Sequence, residues 1–404
     1  MDKYIDKKML KYVIILVGLV ILLIIISYLS NRVTGGKKYT YEQVEEKMVE
    51  ATKKYIENKK NNNLDVLPSA VGTEAEFSSN VLVNEGYIDE LSSYIKGDVI
   101  CNGSVHVFNA GNGNYDYEPE LICGASYETQ KLVTQVIKDN DYGVTSGSGL
   151  YQRVNGKFIV DEQDFSQGGT DDFEYVFRGE DVNNYVLIDE NYWRIIAIDN
   201  QDNMLLLFDS RSQKSFAWDD KYNETEKKYF GVNTYYDNGL ESTAYSTIQD
   251  FYEGKVKILN NAPLSDKIKN VLTPFTICVG KRSEEDSSTD GSTECKETLD
   301  DQYMSLLPAY YFMSASLDSK CTSVTSKSCG NFNYLSGSSY HWWLLTADSA
   351  NSHSAYIVSE KNITSNNCHN KANIKPTFML GSRVLYSEGK GTEEEPYKIK
   401  YFAD

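Results

Sequence analysis

The chain has few histidines and lacks the short motifs that mark several common classes of enzyme active site. Only four histidines occur in 404 residues. There is no Gly-x-Ser-x-Gly elbow, no phosphate-binding loop and no Cys-x-x-Cys pair. The cysteines and histidine at 321, 329, 368 and 369 lack the spacing of a zinc site. The sequence therefore predicts no catalytic residue, no metal ligand and no cofactor.

Positive charge and proline are also scarce. The chain carries 58 acidic and 40 basic residues, a formal net charge of -18, and only seven prolines. Because nucleic-acid phosphates are bound by basic surfaces, this balance excludes a nucleic-acid partner. The 31 tyrosines, together with many asparagines and serines, are typical of exposed strands and of recognition surfaces.

One long apolar run lies near the beginning of the chain. Residues 12–30 contain no charged side chain, and about 18 residues rise about 27 Å as a helix, which spans a thin hydrocarbon core. We predict a cytoplasmic arm at 1–11 and a transmembrane helix at 12–30, with the lipid bilayer as its partner. The alternative is a cleaved signal peptide, but its apolar core is shorter, and no small-residue cleavage site follows here.

All seven cysteines follow this run. Basic residues flank the run on both sides, so charge alone does not set its orientation. Cysteines scattered among polar loops suit an oxidising compartment. We therefore expect a single-pass protein of the cell membrane, with a cytoplasmic N-terminus and an extracellular ectodomain. The use of Lys, Asn and Ile is typical of a bacterium.

A small module is predicted over residues 39–142. Thr40 and Gln43 form a capping box that begins a helix. The apolar stripe of this helix is Val44, Met48, Ala51 and Tyr55. A second short helix is expected between Asn80 and Leu91, with Val81, Leu82 and Ile88 as core candidates.

A disulfide-bonded hairpin is predicted next. Residues 109–114 form a Gly/Asn turn, and Cys101 and Cys123 are equally distant from its centre. We therefore expect a cross-strand disulfide between them. His106 lies on the polar face of the first strand, where a solvated strand residue is favoured over a metal ligand.

The order of these elements resembles the layout of a type IV pilin or pseudopilin. The likeness covers about the first 140 residues and consists of a spanning helix, an amphipathic helix and a disulfide hairpin. The prepilin cleavage glycine and the glutamate that follows it in that family are missing. The resemblance therefore favours an anchor and stalk over a pilus subunit.

A larger, mainly antiparallel domain is predicted over residues 150–401, which makes the chain α+β overall. The Asn155-Gly156 pair indicates a hairpin turn. Further disulfides are expected between Cys278 and Cys295 and between Cys321 and Cys329, because each pair closes a polar loop. Short strands are expected at 175–177, 185–188, 193–198 and 204–208. The acidic turn at 199–203 has oxygen ligands for Ca²⁺, but an ordinary hairpin turn is favoured.

Three groups of residues in this domain resemble an uncharacterised bacterial surface domain of C-type-lectin-like fold. The groups are Phe177–Gly179 with Asn183–Val186 and Trp193–Ile196; Trp342–Leu344; and Ile374–Phe378 with Gly389–Ile399. The resemblance covers about residues 175–400 and implies a fold but no activity. It also implies that Pro396–Ile399 pairs beside the first strands, near Phe177 or Tyr185. The chain has Leu345 and Lys375 where that family usually has arginine.

The candidate binding residues are Trp343, Tyr340 and His341. Successive strand residues point to opposite faces, so one of Trp342 and Trp343 belongs to the core. An exposed Trp343 beside Tyr340 and His341 would stack on a sugar ring. The alternative is that both indoles pack in the core, with their N–H groups bonded to the backbone.

We therefore expect a non-enzymatic binding or adhesion protein for a cell-surface glycan or protein. The alternatives are an envelope enzyme, either a hydrolase or an oxidase, and a pilus-like assembly subunit. An enzyme would need a pocket that joins His341, Asp348 and His353.

Overall fold

A computed structural model describes residues 39–111, 113–140, 146–159, 173–223, 225, 227–229, 231–400 and 402–403. These residues form helices and mostly antiparallel strands, which confirms the mixed α+β class. The chain divides between Thr129 and Gln130 into two compact units. The predicted arm and span at 1–11 and 12–30 lie outside the described residues. Within the described ranges, no helix has the length and apolar character needed to cross a membrane.

Helix α1 (Tyr41–Asn61) of the first unit begins as predicted. The Thr40 hydroxyl accepts the Gln43 backbone N–H at 3.3 Å, and the Gln43 side chain accepts the Thr40 N–H at 3.1 Å. The predicted stripe is buried at Val44, Met48 and Ala51. The capping box therefore fixes where the helix begins, and the stripe fixes which face it buries.

The second helix is shorter than the sequence analysis predicted. Helix α2 spans Ser79–Asn84, and a separate 3₁₀ turn spans Leu91–Tyr94. Gly86 has φ of 78°, a left-handed conformation that ends a helix. Leu82 and Ile88 are buried as expected, but Val81 is 40% exposed, so its assignment to the core is wrong.

The predicted hairpin and its disulfide are confirmed. Strands β2 (Cys101–Gly111) and β3 (Asn114–Cys123) pair so that Cys101 lies opposite Cys123, and the two are bonded. Strand β1 (Glu74–Ser78) flanks β2, and β4 (Tyr127–Glu128) flanks β3. His106 is partly exposed between two carboxylates: its Nε2 lies 3.5 Å from Glu120 and its Nδ1 4.0 Å from Glu74.

The second unit begins earlier than the predicted module boundary at 142. Helix α3 (Leu132–Asp139) buries Leu132, Val133 and Val136 in the core of this unit. The Leu132 N–H donates to the carbonyl of Val384 at 2.8 Å. Residues 130–140 therefore belong with the distal domain.

An eleven-stranded sheet organises the second unit. Its main path runs β16–β24–β10–β9–β7–β5–β6, with β8, β19, β25 and β26 attached. Its strands are β5 (Gly149–Val154), β6 (Lys157–Phe158), β7 (Phe173–Arg178), β8 (Tyr185–Ile188), β9 (Asn191–Asp199), β10 (Met204–Phe208), β16 (Leu272–Thr273), β19 (Met304–Ser305), β24 (Thr377–Leu380), β25 (Leu385–Glu388) and β26 (Tyr397–Lys400). The predicted strands and hairpin turns up to residue 208 are present, and Asp199 accepts the backbone N–H groups of Gln201 and Asn203 within an ordinary turn.

A second, five-stranded sheet has the order β11–β23–β20–β21–β22. Its strands are β11 (Ser215–Ala217), β20 (Trp342–Ala347), β21 (Ser354–Ser359), β22 (Asn362–Asn367) and β23 (Lys371–Asn373). Three short hairpins complete the strands: β12 (Tyr222–Asn223) with β13 (Lys228–Tyr229), β14 (Tyr236–Asp237) with β15 (Leu240–Glu241), and β17 (Phe275–Cys278) with β18 (Thr298–Gln302). The remaining helices are α4 (Thr243–Tyr252), α5 (Asp266–Asn270) and α6 (Ala309–Ala315).

Alternate residues of the central strands join two different hydrophobic clusters. Trp193 and Ile195 of β9 belong to one cluster, and Ile196 belongs to the other. Strand β10 divides in the same way, with Leu206 and Phe208 in the first cluster and Leu205 and Leu207 in the second. Because strand side chains alternate between faces, each face of this pair is covered by its own core.

The C-terminal strand lies where the resemblance implied. Tyr397 of β26 pairs in parallel with Val186 of β8. The Tyr397 ring is fully buried, and its hydroxyl donates to Asp139 at 3.2 Å. Strand β26 is therefore part of the main sheet.

The two distal disulfides are also present. Cys278 is bonded to Cys295 and Cys321 to Cys329. The sulfurs of Cys321 and Cys329 are therefore bonded to each other and unavailable as metal ligands. Cys368 is a buried free thiol.

The hairpin disulfide has a local effect that can be measured. We expect Cys101→Ser to increase protease cleavage within residues 98–126, because the lost loop closure is worth about 3 kcal/mol. All four tryptophans lie in the second unit, so the tryptophan fluorescence transition on denaturation should not move. Cys123→Ser should reproduce both results, and a shift of that transition in either variant would contradict the local assignment.

The C-terminal strand makes a second prediction. Tyr397→Ala should lower the free energy of unfolding of the second unit by about 3–5 kcal/mol, because removing this large buried ring leaves a cavity in the core. Tyr397→Phe removes only the hydroxyl and should cost about 1 kcal/mol. Urea denaturation followed by tryptophan fluorescence measures both, with the exposed neighbour Lys398→Ala as control. An unchanged transition in Tyr397→Ala would show that this strand does not stabilise the sheet.

Candidate functional site

Trp343 is not a surface platform. Its side chain is 0% exposed, and its Nε1 donates to the carbonyl of Phe216 at 2.8 Å. Its ring packs edge-on against Trp218, with centroids 5.8 Å apart. All six residues of β20 are buried, because other strands flank it on both sides and hydrophobic clusters take up its alternate side chains. The interpretation of Trp343 as an exposed sugar-stacking residue is therefore wrong, and both indoles pack in the core as the alternative held. Only the Trp343 N–H bonds to the backbone, because Trp342 Nε1 has no acceptor among the described residues.

The other two candidate residues separate from Trp343. His341 is exposed, and its backbone carbonyl accepts the N–H and the side-chain amide of Asn373, both at 2.9 Å. Tyr340 is half-buried and borders a cluster of charged residues. Of the three predicted residues, only Tyr340 lies beside a cluster of charged side chains.

That cluster consists of two buried cations on either side of one carboxylate. An Arg194 terminal nitrogen lies 3.8 Å from one oxygen of Asp209, and Lys375 Nζ lies 3.6 Å from the other. The side chains of Arg194 and Lys375 are only 7% and 6% exposed, and that of Asp209 is 27% exposed. We call Arg194, Asp209, Lys375 and Tyr340 the cation site.

The strands explain why these residues meet. Arg194 lies on β9 between the flanking partners Tyr185 and Leu207. Asp209 directly follows β10, and its N–H donates to the carbonyl of Tyr192 at 2.9 Å. By alternation, Arg194 and Asp209 both fall on the face of Ile196 and Leu207. The charges therefore lie at the end of one apolar face.

Lys375 lies in the short segment that connects strands β23 and β24. The carbonyl of the next residue, Pro376, accepts the N–H of Phe208 at 3.0 Å. Its neighbour Ile374 belongs to the first hydrophobic cluster. Lys375 therefore projects toward the second cluster, where its Nζ lies 5.1 Å from the centroid of the Trp342 ring.

Aromatic rings surround both cations. The Arg194 guanidinium lies 3.7 Å above the Tyr185 ring and 4.9 Å from that of Tyr334. Lys375 Nζ lies 5.6 Å from the Tyr340 ring. Cation–π contacts of this kind offset part of the cost of removing a cation from water. They hold both charges in place without neutralising them.

Hydrogen-bond donors outnumber acceptors in the site. Arg194 Nε donates to Asn184 at 2.6 Å, and Asn184 is itself held by the carbonyl of Ile195 at 2.7 Å. The distances from the cations to Asp209 exceed the roughly 2.7–2.9 Å of a charge-assisted hydrogen bond. Trp342 Nε1 is buried, and no residue in the described part of the chain accepts its hydrogen. Arg194 and Lys375 thus meet Asp209 only as ion pairs of 3.8 Å and 3.6 Å, and Trp342 contributes one unpartnered donor.

Burial changes the acid–base properties of the site. It lowers the pKa of Lys375, an effect that Asp209 partly opposes and Arg194 reinforces. Burial raises the pKa of Tyr340, with Asp209 acting in the same direction, so its hydroxyl stays protonated. The cluster carries a local charge of +1 in a chain whose net charge is -18.

A surface cavity elsewhere in the second unit also contains lysines, but these lysines are paired with glutamates. It has a volume of about 590 Å³ and includes residues 388–390 and 394–396 in its lining. Its two lysines are already paired, Lys390 with Glu395 and Lys398 with Glu388, each at 2.6 Å. Its cations are therefore satisfied within the protein.

The residues considered for catalysis have other contacts. Asp348 accepts hydrogen bonds from Ala350 and Ser365, and His353 Nδ1 lies 2.7 Å from the carbonyl of Gly231. Burial raises the pKa of the Cys368 thiol, which opposes its use as a nucleophile. Among the described residues, no group of three His, Cys, Asp or Glu side chains is arranged to hold a metal.

Arg194 and Lys375 lie in sequence motifs named above, but the sequence alone assigned neither a role in binding. Arg194 stands between apolar residues of a strand, Lys375 interrupts the run Ile374–Phe378, and Asp209 follows Phe208. A charge inside an apolar strand is the signal that reveals such a site. Comparisons with protein-family models, curated proteins and solved structures found no match.

The cluster predicts opposite effects on stability for its two kinds of charge. We expect Asp209→Asn to destabilise the second unit by about 1–3 kcal/mol, because two buried cations lose their counter-charge. Lys375→Met, which removes a buried charge, should leave stability unchanged or raise it at pH 7. Urea denaturation measures both differences.

The Lys375 effect should also depend on pH. Because the folded-state pKa of Lys375 lies below 10.5, the unfolded chain binds more protons between those two values. The stability of the wild type relative to Lys375→Met should therefore rise with pH through that window. A difference that is constant up to pH 10.5 would contradict the desolvation of Lys375.

Proposed function

We propose that the chain is a membrane-anchored bacterial cell-surface protein whose ectodomain binds a glycan or protein ligand without catalysing a reaction. The apolar run at 12–30 supports the anchor, with the N-terminus in the cytoplasm. Three disulfides, Cys101–Cys123, Cys278–Cys295 and Cys321–Cys329, support an oxidising exterior for the rest of the chain.

The finer fold is part of this proposal. The mainly antiparallel distal unit is C-type-lectin-like over about residues 150–401. The parallel pairing of Tyr397 with Val186 supports it, because it brings strand β26, near the end of the unit, beside the early strand β8. The first unit, with its helix and disulfide hairpin, then acts as a stalk.

The cation site carries the binding proposal. Arg194 and Lys375 are nearly buried, yet neither lies within hydrogen-bond distance of Asp209. Burying a charge is costly unless it is paired and hydrogen-bonded. A protein that keeps two such cations at one place, beside the half-buried Tyr340, has a recognition site that a ligand completes.

Binding tests this proposal directly. We expect the full-length chain in detergent micelles to bind members of a combined glycan and peptide array. Arg194→Gln should reduce the signal at least tenfold, because its guanidinium lies in the site. Lys398→Gln removes one positive charge from the same unit but outside the site, and should bind like the wild type.

Two results would contradict the proposal. One is the absence of binding to any member of the array by a folded wild-type chain. The other is equal loss of signal in Arg194→Gln and Lys398→Gln, which would indicate non-specific electrostatic adsorption. Tryptophan fluorescence of each variant, measured before it is applied to the array, establishes that the variant is folded.

A further inference from the structure

We infer that the cation site binds the carboxylate of its ligand against Arg194 and Lys375, beside Asp209, while Asp209 accepts a hydrogen bond from a hydroxyl or ammonium group near that carboxylate. This inference rests on the proposed function and names the chemical class of the ligand. It covers sugar acids and amino acids alike, since both carry a hydrogen-bond donor within two carbons of the carboxylate.

The charge of the site selects a singly charged anion. Two cations and one carboxylate give +1, and a carboxylate group brings the total to zero. A phosphate dianion would bring it to -1 and would have to lie close to Asp209, which is within 4 Å of both cations. Like charges at that distance repel strongly where water is scarce. The site therefore favours a carboxylate over a phosphate.

The donors also fit a carboxylate in shape. Arg194 Nε donates to Asn184 at 2.6 Å, and the guanidinium lies 3.7 Å from the centroid of the Tyr185 ring. One terminal nitrogen lies 3.8 Å from Asp209, and a planar guanidinium edge matches the two oxygens of a carboxylate. Lys375 supplies a point charge from the second side.

Asp209 adds a requirement beyond charge. Its carboxylate is 27% exposed, so it forms the part of the site that a ligand meets from solvent. An ionised carboxylate accepts hydrogen bonds and donates none. A ligand with an O–H or N–H next to its own carboxylate satisfies it, whereas a bare carboxylate such as acetate leaves it opposed by a second negative charge.

Titration calorimetry on the full-length chain in detergent micelles tests the inference with glucuronate, alanine, acetate, glucose and inorganic phosphate. We expect glucuronate, alanine or both to bind roughly tenfold more tightly than acetate, and glucose and phosphate to bind more weakly still. Glucuronate alone would identify a sugar acid as the source of the carboxylate, and alanine alone an amino acid. Affinity should fall with added salt.

Variants separate a binding site from a structural charge cluster. Lys375→Met and Arg194→Lys should each weaken glucuronate or alanine binding roughly tenfold, the second because lysine lacks the planar edge. Asp209→Asn should instead strengthen acetate binding, because it removes the competing charge. A purely structural cluster would not produce this gain. Lys398→Gln should match the wild type.

The outcomes distinguish this inference from the proposed function. Glucose binding as tight as that of glucuronate, or phosphate binding tighter than any carboxylate, would overturn the inference. So would the absence of all carboxylate binding in a chain that still shows Arg194-dependent binding on the array, which would leave the proposed function standing. Absence of Arg194-dependent binding in both experiments would overturn both.

Discussion

Strands β9 and β10 are buried on both faces, and this constraint determines how the second unit is built. An antiparallel sheet usually has one face in water, but here Trp193 and Phe208 face one hydrophobic cluster and Ile196 and Leu207 the other. Each cluster needs a covering layer. Strand β20 contributes to both, because Trp342 belongs to the second cluster and Trp343 to the first.

The same constraint makes the position of Arg194 costly. Any side chain at this point of β9 must enter the apolar layer or reach its edge. Arg194 reaches the edge, stacks on Tyr185 and is fixed by Asn184. Apolar residues of similar volume would fill the place of such a cluster with equal or greater stability. Folding alone therefore does not require this charge, which is consistent with the proposed recognition role.

Local signals in the sequence predicted local structure well. The capping box at Thr40 and the symmetric placement of Cys101 and Cys123 around a turn each depend on neighbouring residues only, and both are confirmed. The predicted extent of the second helix was wrong, because Gly86 ends the helical pattern earlier than its apolar residues suggest. Leu132, in helix α3, was assigned to the wrong unit because nothing near it in sequence indicates that its partner is Val384.

At the candidate site, too, contacts between residues distant in sequence could not be predicted from local signals. The choice between an exposed and a buried Trp343 depended on what covers β20, which the sequence of that strand does not contain. Tyr340 was identified as a binding residue by its nearness to Trp343, whereas the structure connects it with Lys375. Residues separated by 181 positions, Arg194 and Lys375, meet only through the order of strands β9, β10 and β24.

The contrast between the cation site and the large surface cavity indicates which kind of feature identifies a binding site here. The cavity offers space, but its lysines bond to glutamates at 2.6 Å, so a ligand gains no unsatisfied charge there. The cation site is small, but its charges have already lost most of their contact with water. A ligand that completes their hydrogen bonds does not have to displace that water. The proposal of a ligand at Arg194 and Lys375 thus rests on desolvation already borne by the folded protein and not on the size of an opening.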